Sequence, residues 1–234
     1  YNLEVRDDSL CTDAFSVDIT EPPLLTGSIK SVKGETCFGD NDGEIAITAD
    51  GGTLPLGFSI DGGSTTQADS NFTNLSPGDY DVVIEDDSGC VVGPIAVTVD
   101  PAIELLIDDI DVTDVDCQGS LTGEIDITAS GGAPPIEYSI DAGANYSSSG
   151  LFTGLDDGNY QVQIIDDSSC VIGPVPITID EPNSLVLSVD DKTDESCFNN
   201  DDGEIELSAT GGTLPLEFSL DGGTTYQSSG SFTN

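Results

Sequence analysis

Apolar and polar residues alternate in short bursts along this chain, and the bursts return at a fixed interval. Ile45, Ile47 and Ala49 fall on one face of the stretch 44–49, and Leu56, Phe58 and Ile60 do the same over 56–60. A period of two marks strands with one buried face. Further strands are predicted at 29–32, near Thr65, at 71–75, at 80–85 and at 91–99. Turn signals separate them: Gly51-Gly52 with Pro55, Asp61-Gly62-Gly63, and Ser76-Pro77-Gly78.

The pattern then starts again. Cys37, Cys117 and Cys197 lie 80 residues apart, and Cys11, Cys90 and Cys170 lie 79 and 80 apart. The phrase opening at Gly43 (GEIAITADGGTLPLGFSIDGG) returns with small changes from Gly123 and from Gly203, and each period closes on Glu21-Pro22, Asp100-Pro101 or Glu181-Pro182. Solenoid units are about 20–50 residues long, so a period near 80 suits an independent small domain. Boundaries after the prolines give the end of one repeat (1–22), two complete repeats (23–102 and 103–182) and the start of another (183–234). Tyr1 has the phase of Tyr80 and Tyr160, and Asn234 that of Asn74, so the chain is expected to be a window on a longer array. Seven short strands per period and no helical periodicity predict an all-β chain of tandem Ig-like, seven-stranded β-sandwiches arranged end to end. Leu75-x-x-Gly78-x-Tyr80, repeated as Leu155-x-x-Gly158-x-Tyr160, has the form of a tyrosine corner.

Charge narrows the partners. Four basic residues (Arg6, Lys30, Lys33, Lys192) oppose 45 acidic ones, for a net charge of −41. Such a surface repels phosphate backbones and anionic lipid, which argues against nucleic-acid and membrane-surface partners. No apolar run approaches the length of a bilayer span, and Tyr1 does not open a signal peptide. Disorder, which heavy acidity can signal, is opposed by the abundance of patterned strand formers.

The order of motifs is similar to a known family. A cysteine, a short polar loop, DGEI, GGTLPLxFSxDGG, FTNLSPGDYxVxIxDDSGC and a closing EP resemble the SprB-type repeat of giant adhesins in gliding Bacteroidota. The likeness covers almost the whole chain, although Cys117-Gln118-Gly119-Ser120-Leu121-Thr122-Gly123 lacks the loop acids of its neighbours. The resemblance implies export by the type IX system, an extracellular place on the outer membrane, and a role in gliding or attachment.

Candidate chemistry is sparse. Histidine is absent, no serine or cysteine nucleophile is placed beside a base, and no phosphate-cradling loop occurs. The paired carboxylates recur in every period, as architecture does and a catalytic centre does not, so no enzyme is expected. Without histidine or a CxxC motif the cysteines read as disulfides outside the cytoplasm. Bonds within a repeat, Cys37–Cys90 and Cys117–Cys170, would each close a loop of 53 residues, an entropic gain of roughly 4 kcal/mol. In a strict Ig strand order those two cysteines sit at opposite poles, which keeps Cys37–Cys170, between neighbours, as a rival; Cys90–Cys117 is a third pairing.

Calcium is the candidate cation. Asp40-Asn41-Asp42-Gly43-Glu44 offers closely spaced oxygens at a glycine turn, and Asp86-Asp87 and Asp166-Asp167 recur at the predicted F–G turn. Asp40 and Asp42 are expected to approach Asp166 and Asp167 where neighbouring repeats meet. Turn formation by Asn, Asp and Gly is the competing explanation. Lys30 aligns with Ile110, which removes a recurrent isopeptide lysine, and Asn71, Asn74 and Asn145 open glycan sequons.

The expected function is a structural, adhesive stalk: a repeat region of a large surface adhesin. Its expected partners are adjacent repeats, lateral copies of itself, and a surface polysaccharide or other extracellular ligand bound through parts outside this stretch. A carbohydrate-binding repeat is the alternative, with Tyr146 and Tyr226 as its aromatic candidates in a chain without tryptophan.

Overall fold

The computed structural model describes residues 1–233, and every regular element among them is a β-strand. The chain divides into two units, Tyr1–Ile103 and the residues from Glu104 onward.

The first unit opens with a lone antiparallel hairpin of β1 (Asn2–Arg6) and β2 (Thr12–Ser16). A complete repeat follows: β3 (Thr26–Lys33), β4 (Gly43–Asp50), β5 (Leu56–Ser59), β6 (Asn71–Leu75), β7 (Gly78–Asp86) and β8 (Val91–Val99). They form two antiparallel sheets of order β3-β4-β6 and β5-β7-β8. This is the A-B-E and C-F-G partition of an Ig-like sandwich. Alternation along β4 turns Ile45 and Ile47 inward, where they meet Phe58 of β5, Val82 and Ile84 of β7 and Val99 of β8. Ile45, Val82, Ile84 and Val99 are wholly buried.

The second unit holds the next complete repeat and part of another. The complete one comprises β9 (Leu106–Thr113), β10 (Gly123–Ser130), β11 (Glu137–Ser139), β12 (Leu151–Leu155), β13 (Gly158–Ile165) and β14 (Val171–Ile179). Its sheets, β9-β10-β12 and β11-β13-β14, repeat the same order, and its core repeats the same layout around Ile125, Ile127, Val162, Ile164 and Ile179. Then come β15 (Val186–Thr193), β16 (Glu204–Thr210) and β17 (Ser231–Thr233), which build a single three-stranded sheet.

Each complete repeat has six ladder strands rather than seven. The strand expected near Thr65 is reduced to one bridge, Phe58 with Gln67. Asp61 is the cause: its carboxylate accepts from the Thr65 amide (2.9 Å), the Thr65 hydroxyl (2.7 Å) and the Ser59 hydroxyl (2.7 Å), curling this stretch into a turn. The tyrosine corner forms as expected, with Tyr80 Oη donating to the Ser76 carbonyl at 2.8 Å and Tyr160 Oη to that of Asp156 at 2.9 Å. Gly51 and Gly52 both take positive φ, 75° and 68°, and a Cβ on Gly51 would collide with the Leu24 carbonyl oxygen. That turn tolerates no side chain at Gly51.

Candidate functional site

The cysteines of a repeat and the aspartates singled out beside them lie in the turns at its two poles. The first pole joins β3 to β4. In the first complete repeat its clasp is Asp42, whose carboxylate accepts from the Thr36 amide at 2.7 Å, the Thr36 hydroxyl at 2.5 Å and the Lys33 ammonium at 2.8 Å. These contacts, Lys33 foremost, hold the Asp42 carboxyl well below the usual range. Glu35 is a second strut. One oxygen accepts from the Gly39 and Asn41 amides (2.9 and 3.0 Å), and the other reaches the Ala102 amide at 3.3 Å. The Glu35 amide itself donates to the Asp100 carbonyl at 2.9 Å, so the loop grips the segment leaving the repeat.

The second complete repeat builds this pole with Val115 and Thr122 in place of Glu35 and Asp42. The Asp116 amide donates to Thr122 Oγ1 at 2.8 Å, as that of Thr36 does to Asp42. Val115 is buried where Glu35 stands in the first repeat. In the next repeat Asp202 resumes the role, accepting from the Ser196 amide at 2.8 Å. An alcohol serves where a carboxylate served, so what the three loops share is a hydrogen-bond acceptor and not a charge. The departing segment is fastened here too. The Val115 amide donates to the Asp180 carbonyl (3.1 Å), the Asp180 amide to Asp114 (2.8 Å), the Gly119 amide to Glu181 (3.2 Å), and Ser184 to Gln118.

The second pole carries the β7–β8 turn. Asp86 is only 4% exposed and Asp166 6%. Asp86 Oδ1 accepts from the Ser88 and Cys90 amides (3.0 and 2.8 Å), while Oδ2 accepts from Thr53 at 2.9 Å. Those bonds, the Thr53 amide first, push its carboxyl below the ordinary value. Asp166 likewise accepts hydrogen bonds from the amides of Cys170 and Ala133, each at 2.8 Å. Asp87 and Asp167 are exposed and contribute their amides, to the Thr53 and Ala133 carbonyls. Asp40 is exposed on the first pole. Among the described residues no three His, Cys, Asp or Glu side chains gather as a metal site.

The cysteines divide by oxidation state. Cys37, on the first pole of its repeat, is disulfide-bonded, and so is Cys170, on the second pole of its own. Cys11, Cys90, Cys117 and Cys197 are free thiols, all exposed. This corrects the favoured pairing within a repeat, because neither Cys90 nor Cys117 is oxidised. The reason is topological. Cys37 and Cys90 lie at the two ends of a sandwich whose β8 alone runs for nine residues, about 30 Å, against the roughly 6 Å that a disulfide spans between Cα atoms.

Two features escaped the sequence reading. Ser59 and Ser139 are wholly buried. Each hydroxyl donates to the aspartate two residues on and accepts from a glycine amide at 2.9 Å. The recurrent Phe/Tyr-Ser-Ile-Asp phrase was the available signal. Of the aromatic candidates, Tyr146 is half-buried and accepts from Gln163 at 3.1 Å, whereas Tyr226 is exposed.

The SprB repeat family matches residues 30–65, 110–145 and 189–225, one stretch in each period. No curated protein matches the chain. Among solved structures, a C-terminal 282-residue fragment of intimin, in complex with the intimin-binding domain of the translocated intimin receptor, is 17% identical over 73% of this chain and 67% of its own, with a TM-score of 0.34. A tetra-tandem repeat from the extending region of a large adhesion protein is 17% identical, with a TM-score of 0.24 over 89% of this chain, which spans 62% of that structure. The chain carries three copies of the SprB repeat.

Proposed function

We propose that the chain is a structural segment of a large cell-surface adhesin, a stalk whose repeats are held stiffly in series outside the cell. The observation that carries this reading is the treatment of the connecting segment. Residues 180–184 hydrogen-bond to the β9–β10 loop before them, and the Asn183 carbonyl accepts from Gly212 at 2.7 Å in the turn after them. A connector tied at both ends, with a proline in its middle, has little freedom to bend. Small-angle scattering tests this on the chain beside a variant with Glu181 and Pro182 both changed to glycine. The stalk reading expects a shorter maximum dimension and a more flexible profile for the variant; superposable curves would overturn it.

Covalent reinforcement fits the same role, since Cys37 and Cys170 are both disulfide-bonded. Attachment to the outer membrane, type IX export and a part in gliding belong to the same proposal and rest on the family resemblance.

A further inference from the structure

Six aspartates in this chain precede a glycine: Asp42, Asp50, Asp61, Asp157, Asp202 and Asp221. Such a pair can cyclise, because glycine sets no Cβ in the way as its own nitrogen approaches the preceding carboxyl. In five of the six the fold withholds the carboxyl or the nitrogen. Asp42, Asp61, Asp202 and Asp221 are held below the usual carboxylate range by hydrogen bonds, chiefly from Lys33, the Thr65 amide, the Ser196 hydroxyl and the Thr225 hydroxyl respectively. An ionised carboxylate has no hydroxyl to lose. Gly62 also gives its amide to the Asp81 carbonyl at 2.9 Å. Gly158, which follows Asp157, opens β13 and is paired with Ile179.

Asp50 differs on both counts. It is exposed and is the last residue of β4, so Gly51 lies beyond the ladder. Among the described residues its carboxylate accepts one hydrogen bond, from the amide of that next residue: Gly51 N to Asp50 Oδ1, 3.0 Å. The oxygen is one bond from the carboxyl carbon, so the nitrogen stands close to the roughly 3–3.5 Å at which reacting atoms engage. The same position holds Ser130 and Thr210 in the other repeats, and neither has a carboxyl to close on.

We propose that Asp50-Gly51 is a site of spontaneous modification, at which the Asp50 side chain closes on the Gly51 nitrogen and the link reopens as isoaspartate. The Gly51 nitrogen bonds to Asp50 Cγ and gives up its proton. The carboxyl C–OH bond breaks, and the hydroxyl leaves with that proton as water. The five-membered imide then takes water back at either carbonyl, and opening at the Asp50 α-carbonyl leaves the main chain running through Cγ. Composition is unchanged, and no oxidant, cofactor or enzyme takes part. The product carries one more carbon in its main chain, at a turn with no room for it. A Cβ on Gly51 would already stand 2.0 Å from the Leu24 carbonyl oxygen. The Gly52 amide donates to the Pro23 carbonyl at 2.8 Å, and Leu25 beside it is seated in the core. Isoaspartate at residue 50 breaks that hydrogen bond and unseats Leu25.

Ageing in heavy-oxygen water tests it. The chain is kept for weeks at mildly acidic pH, folded and in urea, then digested, and each Asp-Gly peptide is read by mass spectrometry with fragmentation that separates isoaspartate from aspartate. In the folded chain the Asp50 peptide is expected to gain heavy oxygen several-fold faster than the other five and to hold isoaspartate. In urea the six should run alike, since the selectivity comes from the fold. Asp50→Ser, the residue found at this position in the second repeat, should gain no label there and keep its melting temperature. The first repeat of the unaltered chain should lose several degrees over the same period. No isoaspartate at residue 50 in the folded chain, equal rates at all six sites when folded, or the same lead for Asp50 in urea would each overturn the proposal. An unchanged melting temperature in chains shown to carry isoaspartate would overturn the loosening of the turn.

Discussion

Thr53 and Asp86, 33 residues apart, lock the two ends of the second pole together. The Thr53 amide donates to Asp86 Oδ2 at 2.9 Å, and the Thr53 carbonyl receives the amide of Asp87 at 3.0 Å. The pair joins the turn after β4 to the turn after β7, which belong to opposite sheets. Replacing Asp86 by alanine leaves three amide donors without their acceptor in a buried turn, a costly arrangement. Asp86→Ala is expected to lower the melting temperature of its repeat by many degrees, and Asp86→Asn by less, since one amide oxygen remains. Circular dichroism melts of both variants check the order.

Acid should loosen the 59–65 turn and its equivalents. Asp61, held chiefly by the Thr65 amide and then the Thr65 hydroxyl, titrates at about 2 against an ordinary 3.8. Asp141, held chiefly by the Asn145 side chain, also lies at about 2. A depressed carboxyl contributes stability that is complete above its unfolded value and disappears as pH falls toward its folded one. Melting temperature is therefore expected to be flat near neutrality and to fall between about pH 4 and pH 2. An Asp61→Asn, Asp141→Asn double variant should show a shallower acid slope in the same titration.

The clasp at Asp42 should accept an alcohol, because Thr122 performs its task in the second complete repeat. Asp42→Thr is expected to keep most of the stability of the first repeat, while Asp42→Ala, which offers no acceptor to the Thr36 amide, loses more. Hydrogen exchange at Thr36 reads the difference directly.

Thiol labelling under non-reducing conditions should modify Cys11, Cys90, Cys117 and Cys197 and spare Cys37 and Cys170. A peptide joining Cys37 to Cys90, or label on Cys37, would refute this division.

Cavity formation should be costly in the core of a repeat. Ile45 is wholly buried between two sheets. Ile45→Ala is expected to cost about 2–5 kcal/mol, as measured by denaturant melts beside the unaltered chain.

The strands were legible because their alternation is strict: Ile45, Ile47, Phe58, Val82 and Ile84 all face the core as their spacing requires. The six-strand count was not, because Thr65 looks like a strand former in isolation and only the Asp61 carboxylate, folding back on it, removes it from a ladder. The poles were harder still. Asp42 and Asp86 were visible as recurrent acids at turns, and acids at turns read equally well as cation ligands. The partners of Asp86 are backbone amides, which carry no mark in the sequence, and Asp42 adds to one such amide the Lys33 ammonium and the Thr36 hydroxyl. For the cysteines, spacing showed that a rule exists but could not choose between bonds within and between repeats.

The interchange of Asp42 and Thr122 has a consequence for the molecule as a polyelectrolyte. A fold that accepts either residue at its clasp leaves the number of charges per repeat free to drift under other pressures, such as hydration, counterion condensation or the ionic strength of the surroundings. The net charge of −41 is then a property tuned on top of the architecture. Chains of the same fold can be re-dressed for fresh or saline water by substitutions at such positions, at little cost in stability.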